Sequence, residues 1–384
     1  MAQIKIFLIA GEASGDMLGS KLMQALRTIN QDIVFAGIGG EKMEAVGFQS
    51  IFPMNELSIM GFVEIIPKIP HILKRIRYTI QQVLSFAPDI VITIDSPDFC
   101  FRVAKKLKAL KLKCKLIHYV APSVWAYRPK RAKAIAKIYD HLLCLLPFEP
   151  VYFTEVGLGA SFIGHPIIEE VKTGDRQAFR HYHQLTEDDP LLCVMPGSRK
   201  GEIQRLLPIF MEATELLRLK IPHLKIVIPT ISEEFATYIK LVTDRFTTKP
   251  IIITNCNKED VFAAADFALA KSGTNILELS LARLPMIVAY KVNYITGWLL
   301  KKMLKIPYVS IANLCAGREI IPEFLQEDCC PETLADALYQ IYNVEEIKAA
   351  QIEGCKYAHS LLGLGNPSLP SEQAAKIVMK LLKH

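Results

Sequence analysis

Ile4-Lys5-Ile6-Phe7-Leu8-Ile9-Ala10-Gly11-Glu12-Ala13-Ser14-Gly15-Asp16 reads as a buried strand, a glycine-rich turn and the start of a helix. The apolar run Ile4–Ala10 has the length of a strand, and Met17–Ile29 beyond the turn carries helical periodicity. A strand that turns directly into a helix opens a βαβ unit, whose next strand lies parallel to the first. The same alternation recurs. Ile33–Ile38, Ile90–Ile94, Leu116–Val120 and Leu142–Leu146 are short apolar runs, with helical segments such as Phe99–Leu110 between them. An α/β protein with parallel sheets is expected.

The pattern stops and then restarts. Asp175–Pro190 is polar, contains His181 and His183 and has little apolar periodicity, so it reads as a linker. A second series follows at Leu191–Met195, Lys225–Ile228, Ile251–Thr254, Phe267–Ala270 and Met286–Tyr290. The length of 384 residues has room for two cores. The expected domains are 1–170 and 190–362, with a linker over 171–189. The remainder, 363–384, is a Gly/Pro/Ser-rich stretch and a last helix, Ser371–Leu382. Two doubly wound, Rossmann-like domains hold ligand in a cleft, at the carboxyl ends of their strands.

Composition narrows the classes. The chain is 51% apolar and 22% charged, as a folded protein is. A net charge of +6 does not by itself argue for nucleic acid, and suits an anionic membrane surface or an anionic substrate equally. Nine scattered cysteines without a C-x-x-C pair read as reduced thiols and not as a zinc site. No leader precedes the first strand, and no run of about 18 apolar residues is present, so a cytoplasmic protein that meets a membrane only from its surface is expected.

Five segments at strand ends carry candidate chemistry. In Gly11–Asp16, backbone N–H groups suit an anionic or polar ligand, which makes Gly11, Glu12, Ser14 and Gly15 candidates. The segment reads equally as a tight turn capped by Ser14 or Asp16. It is not G-x-G-x-x-G, and Gly37-Ile38-Gly39-Gly40 stands where a dinucleotide enzyme wants an acid, so a dehydrogenase is disfavoured. Asp95-Ser96-Pro97-Asp98-Phe99 puts two acids at the end of an apolar strand. One can accept a proton from a hydroxyl and the other orient it, or Asp98 can simply cap the next helix. Tyr119–Arg128 brings Trp125, Tyr127 and Arg128 to a strand end, for stacking on a sugar and steering a phosphate or for ordinary packing. His118, His141 and His165 are read as structural.

In the second half, Pro196-Gly197-Ser198-Arg199-Lys200-Gly201-Glu202 repeats the strand–glycine–helix logic, with Arg199 available to neutralise a diphosphate without a metal. Lys271-Ser272-Gly273-Thr274-Asn275-Ile276-Leu277-Glu278 does so again. Ser272 and Thr274 are donors to phosphate and Glu278 is an acceptor for ribose hydroxyls, unless the set is only a helix cap. Asn313 is a polar group at what reads as a further strand end. No Asp-x-Asp metal motif accompanies these turns. Over Ile65–Leu84, apolar residues that include Ile69, Ile72 and Leu73 fall on one helical face, among Lys68, Lys74, Arg75 and Arg77. Such a helix lies in a membrane interface or packs its apolar face on the core. Trp298–Lys305 is a second of the same kind.

These motifs, taken in order, resemble the lipid-A-disaccharide synthase family. The resemblance rests on Gly11–Asp16, Asp95–Phe99, His118–Ala126, Phe162-Ile163-Gly164-His165-Pro166, Pro196–Arg199, Ser272–Glu278 and Asn313-Leu314-Cys315-Ala316-Gly317-Arg318-Glu319, and it spans the chain. It implies a two-domain GT-B fold whose C-terminal segment crosses back to the first domain and in some members is exchanged in a homodimer. It implies an inverting, cofactor- and metal-free transfer in which UDP-2,3-diacylglucosamine and 2,3-diacylglucosamine 1-phosphate are joined β-1,6 and UDP leaves. Asp95 would be the base, with Asp98 beside it. Arg199, Glu278 and Asn313 would hold UDP. The surface around Met60, Ile65, Ile66, Ile69, Ile72 and Leu73 would face acyl chains at the inner membrane. Cys100, Lys271, Asn275 and Ala312 depart from the expected pattern. Another UDP-N-acetylglucosamine enzyme of this fold (a peptidoglycan lipid transferase or an epimerase) and a non-catalytic nucleotide-sugar-binding adaptor are the competing readings.

Overall fold

A computed structural model of the chain describes residues 3–57, 62–127, 129–254, 257–293 and 306–382, and of residues 62–68 the backbone alone. Met60, Arg128 and the stretch 298–305 lie outside the described residues, as do the side chains of Ile65 and Ile66. The chain divides into two compact units, 1–169 with 362–384, and 170–361.

The first unit runs β1 Lys5–Ala10, α1 Ala13–Ile29, β2 Val34–Ile38, α2 Glu41–Ala45, α3 Phe62–Phe86, β3 Ile90–Ile94, α4 Pro97–Ala109, β4 Lys115–Tyr119, α5 Arg131–Ala136, β5 His141–Cys144, α6 Glu149–Thr154 and β6 Gly159–Phe162. All six strands are parallel, in the order β2-β1-β3-β4-β5-β6. Strand periodicity explains why β1 is apolar throughout. Ile6, Leu8 and Ala10 enter a core with α1, whereas Phe7 and Ile9 enter another with α4. The C-terminal helix Pro370–Leu382 completes the first of these cores, with Ala374, Ala375 and Val378 fully buried on the α1 side.

The second unit contains α7 Arg176–Tyr182, β7 Leu191–Met195, α8 Lys200–Lys220, β8 Lys225–Thr230, α9 Glu233–Thr243, β9 Ile251–Thr254, α10 Lys258–Ala264, β10 Phe267–Lys271, α11 Asn275–Leu281, β11 Met286–Tyr290 and β12 Glu323–Leu325. The sheet order is β12-β11-β10-β7-β8-β9, again all parallel. Each sheet is therefore wound both ways from its first strand, and the order reverses between β1 and β3 and between β7 and β10.

Four sequence expectations need correction. The polar stretch 175–190 is not a bare linker. Its helix α7 docks on α10, and Arg180, 2% exposed, donates to the Ala264 and Thr186 carbonyls and pairs with Asp266 at 3.0 Å. Val120 lies beyond β4, at φ +80, where a β-branched residue is strained. The Val309–Leu314 stretch ends no strand. Asn313 lies in the helix Ile311–Ala316, whose first turn Ser310 caps through the Asn313 amide. Arg75 does not await a lipid phosphate, because it makes a two-pronged bond to Glu56 at 2.7 Å and stacks on Phe52.

Two buried histidines give the fold a pH dependence. His118 and His359 are 1% and 4% exposed, and burial lowers their pKa to about 3 and about 4. In the unfolded chain both take up a proton near pH 6.5, so the unfolded state binds more protons below that pH and stability falls as pH falls. Each slope approaches about 1.4 kcal/mol per pH unit, between the unfolded and the folded pKa. Urea midpoints measured from pH 7 to pH 5 should drop. Flat midpoints in the wild type would contradict this reading.

Candidate active site

Ligands of open parallel sheets bind outside the carboxyl ends of the strands where the order reverses. In the first unit that point joins the turn after β1 to the turn after β3. Gly11 is there because a Cβ would lie 2.5 Å from Ser96 Oγ, so only glycine lets the two turns approach. The Ser14 hydroxyl donates to Asp95 Oδ2 at 2.6 Å, and the Ser96 amide donates to Oδ1 at 2.9 Å. Asp95 and Ser96 have φ of +53 and +44, a left-handed pair that turns the chain sharply from β3 into α4. Asp16 does not cap this turn. Its buried carboxylate accepts the amides of Gly40, Lys42 and Met43 and fixes the start of α2. Glu12, the α1 N-cap, is exposed, and Gly15 is buried against the Ile94 carbonyl.

Two recesses flank these turns. One, of about 210 Å³, is lined by Asp95, His118, Ala121–Val124, Tyr127 and Arg131. His118 is uncharged there and held by Thr93 Oγ1 at 2.8 Å, which fits its structural reading. Trp125 does not line this recess. Its indole donates to Glu149 at 3.1 Å and its ring stands edge-on to Phe148. Glu149 also accepts the Leu145 and Leu146 amides, and burial raises its pKa to about 7. Sequence reading missed both Glu149 and the recess cation Arg131. Glu149 had a signal, a lone acid just after an apolar strand.

The second recess, about 320 Å³, is lined by Glu12, Ser96, Asp98 and Arg102 together with Leu57, Ile69, Ile72 and Leu73. Asp98 is exposed in the first turn of α4, where negative charge is favoured. The apolar stripe of α3 divides. Ile76 and Val83 are buried, whereas Ile69 and Leu73 are 43% and 39% exposed. The adjacent residues therefore combine two carboxylates, a hydroxyl and an open apolar surface.

In the second unit the reversal joins the turns after β7 and β10. Gly197 has φ +133, and Glu202 Oε2 lies 2.6 Å from where a Cβ would stand. Glu202 accepts the Ser198 amide at 3.3 Å and pairs with Lys271 at 3.1 Å, tying the two turns together. Ser198, Arg199, Gly273 and Thr274 are exposed, and Ser272 is half-buried. Glu278 pairs through Oε1 with Lys258 at 2.6 Å, while its buried Oε2 has no hydrogen-bond partner among the described residues. A buried, unpartnered acceptor is costly and marks a place for a donor from a ligand.

Asn313 does not join this group. It is fully buried. Its amide nitrogen donates to the Ile321 carbonyl and Glu323, and its oxygen accepts the Ile320 and Ile321 amides, so nothing is left for a ligand. Among the described residues no cluster of three His, Cys, Asp or Glu side chains could hold a metal ion, and no helix is long and apolar enough to cross a membrane.

Comparison with known proteins places this arrangement. The sequence model of lipid-A-disaccharide synthetase matches residues 6–378. The lipid-A-disaccharide synthase of Rhodospirillum centenum is 42% identical over 384 residues, covering 100% of this chain and 96% of that one. That of Rickettsia prowazekii is 42% identical over 375 residues, covering 97% and 98%. Among solved structures, a UDP-GlcNAc 2-epimerase from Neisseria meningitidis bound to UDP-GlcNAc aligns with TM-score 0.61 at 12% identity, covering 99% of this chain and 100% of that one. A glycosyltransferase from Rickettsia africae aligns with TM-score 0.59 at 12% identity, covering 100% and 98%. At such identities the structures speak to the fold alone, which is of the GT-B type.

Proposed function

The chain belongs to the lipid-A-disaccharide synthetase family, and from that premise we propose how its two crevices divide one glycosyl transfer. It is a glycosyltransferase of lipid A biosynthesis. The donor is UDP-2,3-diacylglucosamine and the acceptor is 2,3-diacylglucosamine 1-phosphate. The first unit binds the acceptor and the second the donor.

The observation that carries this assignment is Asp95, held by Ser14 and the Ser96 amide at the reversal point of the first sheet. Asp95 takes the proton of the acceptor's 6-hydroxyl as that oxygen attacks the anomeric carbon of the donor from the face opposite UDP. The configuration inverts and the β-1,6 bond forms as the C–O bond to the diphosphate breaks. Asp98 and the Asp95 neighbourhood orient the acceptor, and the 210 Å³ recess with Arg131 is suited to its phosphate. In the second unit the exposed Arg199 and the Ser198 and Ser272–Thr274 turns meet the charge that develops on the departing diphosphate. The unpartnered Glu278 oxygen accepts a ribose hydroxyl.

Ile69, Ile72 and Leu73, on the wall of the second recess, receive an acyl chain of the acceptor. Their exposed neighbourhood rests on the cytoplasmic face of the inner membrane. The C-terminal helix packs on α1 of the first unit. Ile69→Ser with Leu73→Ser should raise KM for the acylated acceptor about tenfold with little change in kcat, and should reduce recovery on anionic liposomes. An unchanged KM would remove this surface from acyl binding.

The transfer itself is tested by incubating the protein with both acylated sugars and following UDP and disaccharide phosphate. UDP should appear only with acceptor present, one per disaccharide. Acceptor-independent conversion of UDP-N-acetylglucosamine to its 2-epimer would instead favour the epimerase reading.

A further inference from the structure

Lys271 ends β10 beside the reversal point of the second sheet. Its ammonium crosses from β10 to the first turn of α8 and lies 3.1 Å from Glu202 Oε1. The two side chains are only 20% and 11% exposed. The same nitrogen stands 3.4 Å from where a Cβ on Gly273 would be, so it covers the turn Ser272–Thr274 on the side that glycine leaves open. The Tyr290 ring, 5.6 Å away, borders it on the β11 side. Glu202 meanwhile holds the Ser198 amide, in the neighbouring turn after β7. A cation is therefore fixed where both glycine-rich turns converge, by a carboxylate rooted in one of them.

A surface lysine placed only for solubility would not be held in this way. Partial burial strengthens the attraction of an ammonium for an incoming anion, and the short tether to Glu202 removes most of the rotamer freedom that a lysine loses on binding. We propose that Lys271 is a second diphosphate-binding cation of the donor site in addition to Arg199, kept over the Gly273 turn by Glu202 and shared with the phosphate oxygens once the donor binds. This rests on the assignment of the donor to the second unit. Lys271 touches the leaving group and so stabilises it both before and during departure, while Glu202 is a positioning residue.

Affinities of uridine, UMP and UDP, measured by calorimetry on the full chain, separate this role from a brace. In the wild type, affinity should rise from uridine to UDP. Lys271→Met should weaken UDP binding about 30-fold and uridine binding less than about threefold, a loss typical of one charge-assisted hydrogen bond. Lys271→Arg should restore most of the preference for UDP. Glu202→Gln, which keeps an acceptor for the Ser198 amide but no charge to hold the ammonium, should weaken UDP binding about fivefold and leave uridine binding unchanged, because the lysine is then no longer held over the turn. Undiminished UDP binding in this variant would remove the positioning role of Glu202. Equal weakening of uridine and UDP in Lys271→Met, or undiminished UDP binding, would overturn the proposal while leaving the donor site in place. A wild type with no preference for UDP over uridine would instead remove the diphosphate site from the second unit altogether.

Discussion

Asp95→Asn should lower kcat by roughly 10²- to 10⁴-fold, the range expected for loss of a general base, and leave the urea midpoint close to that of the wild type. The substitution isolates the proton-accepting function. Asparagine keeps the shape, accepts the Ser96 amide through its oxygen while its NH2 donates to the Ser14 hydroxyl oxygen, and tolerates φ of +53 better than most residues. What it lacks is a basic oxygen for the acceptor proton. Asp98→Asn should cost far less, about tenfold, because Asp98 is exposed in the first turn of α4 and lacks the Ser14 and Ser96 bonds that orient Asp95. Steady-state kinetics of the two variants decides between the acids. A near-normal rate in Asp95→Asn with a collapsed rate in Asp98→Asn would exchange their roles.

The second large effect concerns stability. Asn313→Ala should destabilise the second unit by about 3 kcal/mol or more, since it strands the Ile320 and Ile321 amides and the Ile321 carbonyl in the interior and leaves Glu323 one partner short. Glu323 accepts the amides of Val309 and Ser310 as well, so Asn313 ties three stretches of chain together. Thermal or urea unfolding reads this directly. UDP affinity of the protein that remains folded should be unchanged. A variant of normal stability with weakened UDP binding would return Asn313 to the ligand.

Ten of the twelve strands among the described residues were legible because each contains a short apolar run, in most of them buried on both faces. The two missed, Gly159–Phe162 and Glu323–Leu325, are edge strands of four and three residues, half-buried and with no apolar run to announce them. The glycine turns were legible from residue type at the strand ends. What they do locally was not. Asp16 was open as a cap of its own helix and in fact secures α2, twenty-four residues on at Gly40. Long-range pairing of this kind leaves no trace in spacing. Asn313 misled because a buried asparagine and a ligand-binding one look alike until its four bonds are counted. Arg75 of α3 misled for a related reason, since its partner Glu56 lies outside the helix. Lys271 stood out as a departure from the expected pattern, but its meaning needed Glu202, on a different element, to be placed beside it.

The central claim is that Asp95 in one unit and the Gly197 and Gly273 turns in the other serve a single displacement. It is tested most directly by a crystal structure of Asp95→Asn with UDP and the acceptor bound together. UDP should lie with its diphosphate on the Ser198 and Ser272–Thr274 turns and a ribose hydroxyl on Glu278. The acceptor's 6-hydroxyl should stand about 3 Å from the residue 95 side chain. UDP bound in the first unit, or an acceptor hydroxyl remote from residue 95, would contradict it.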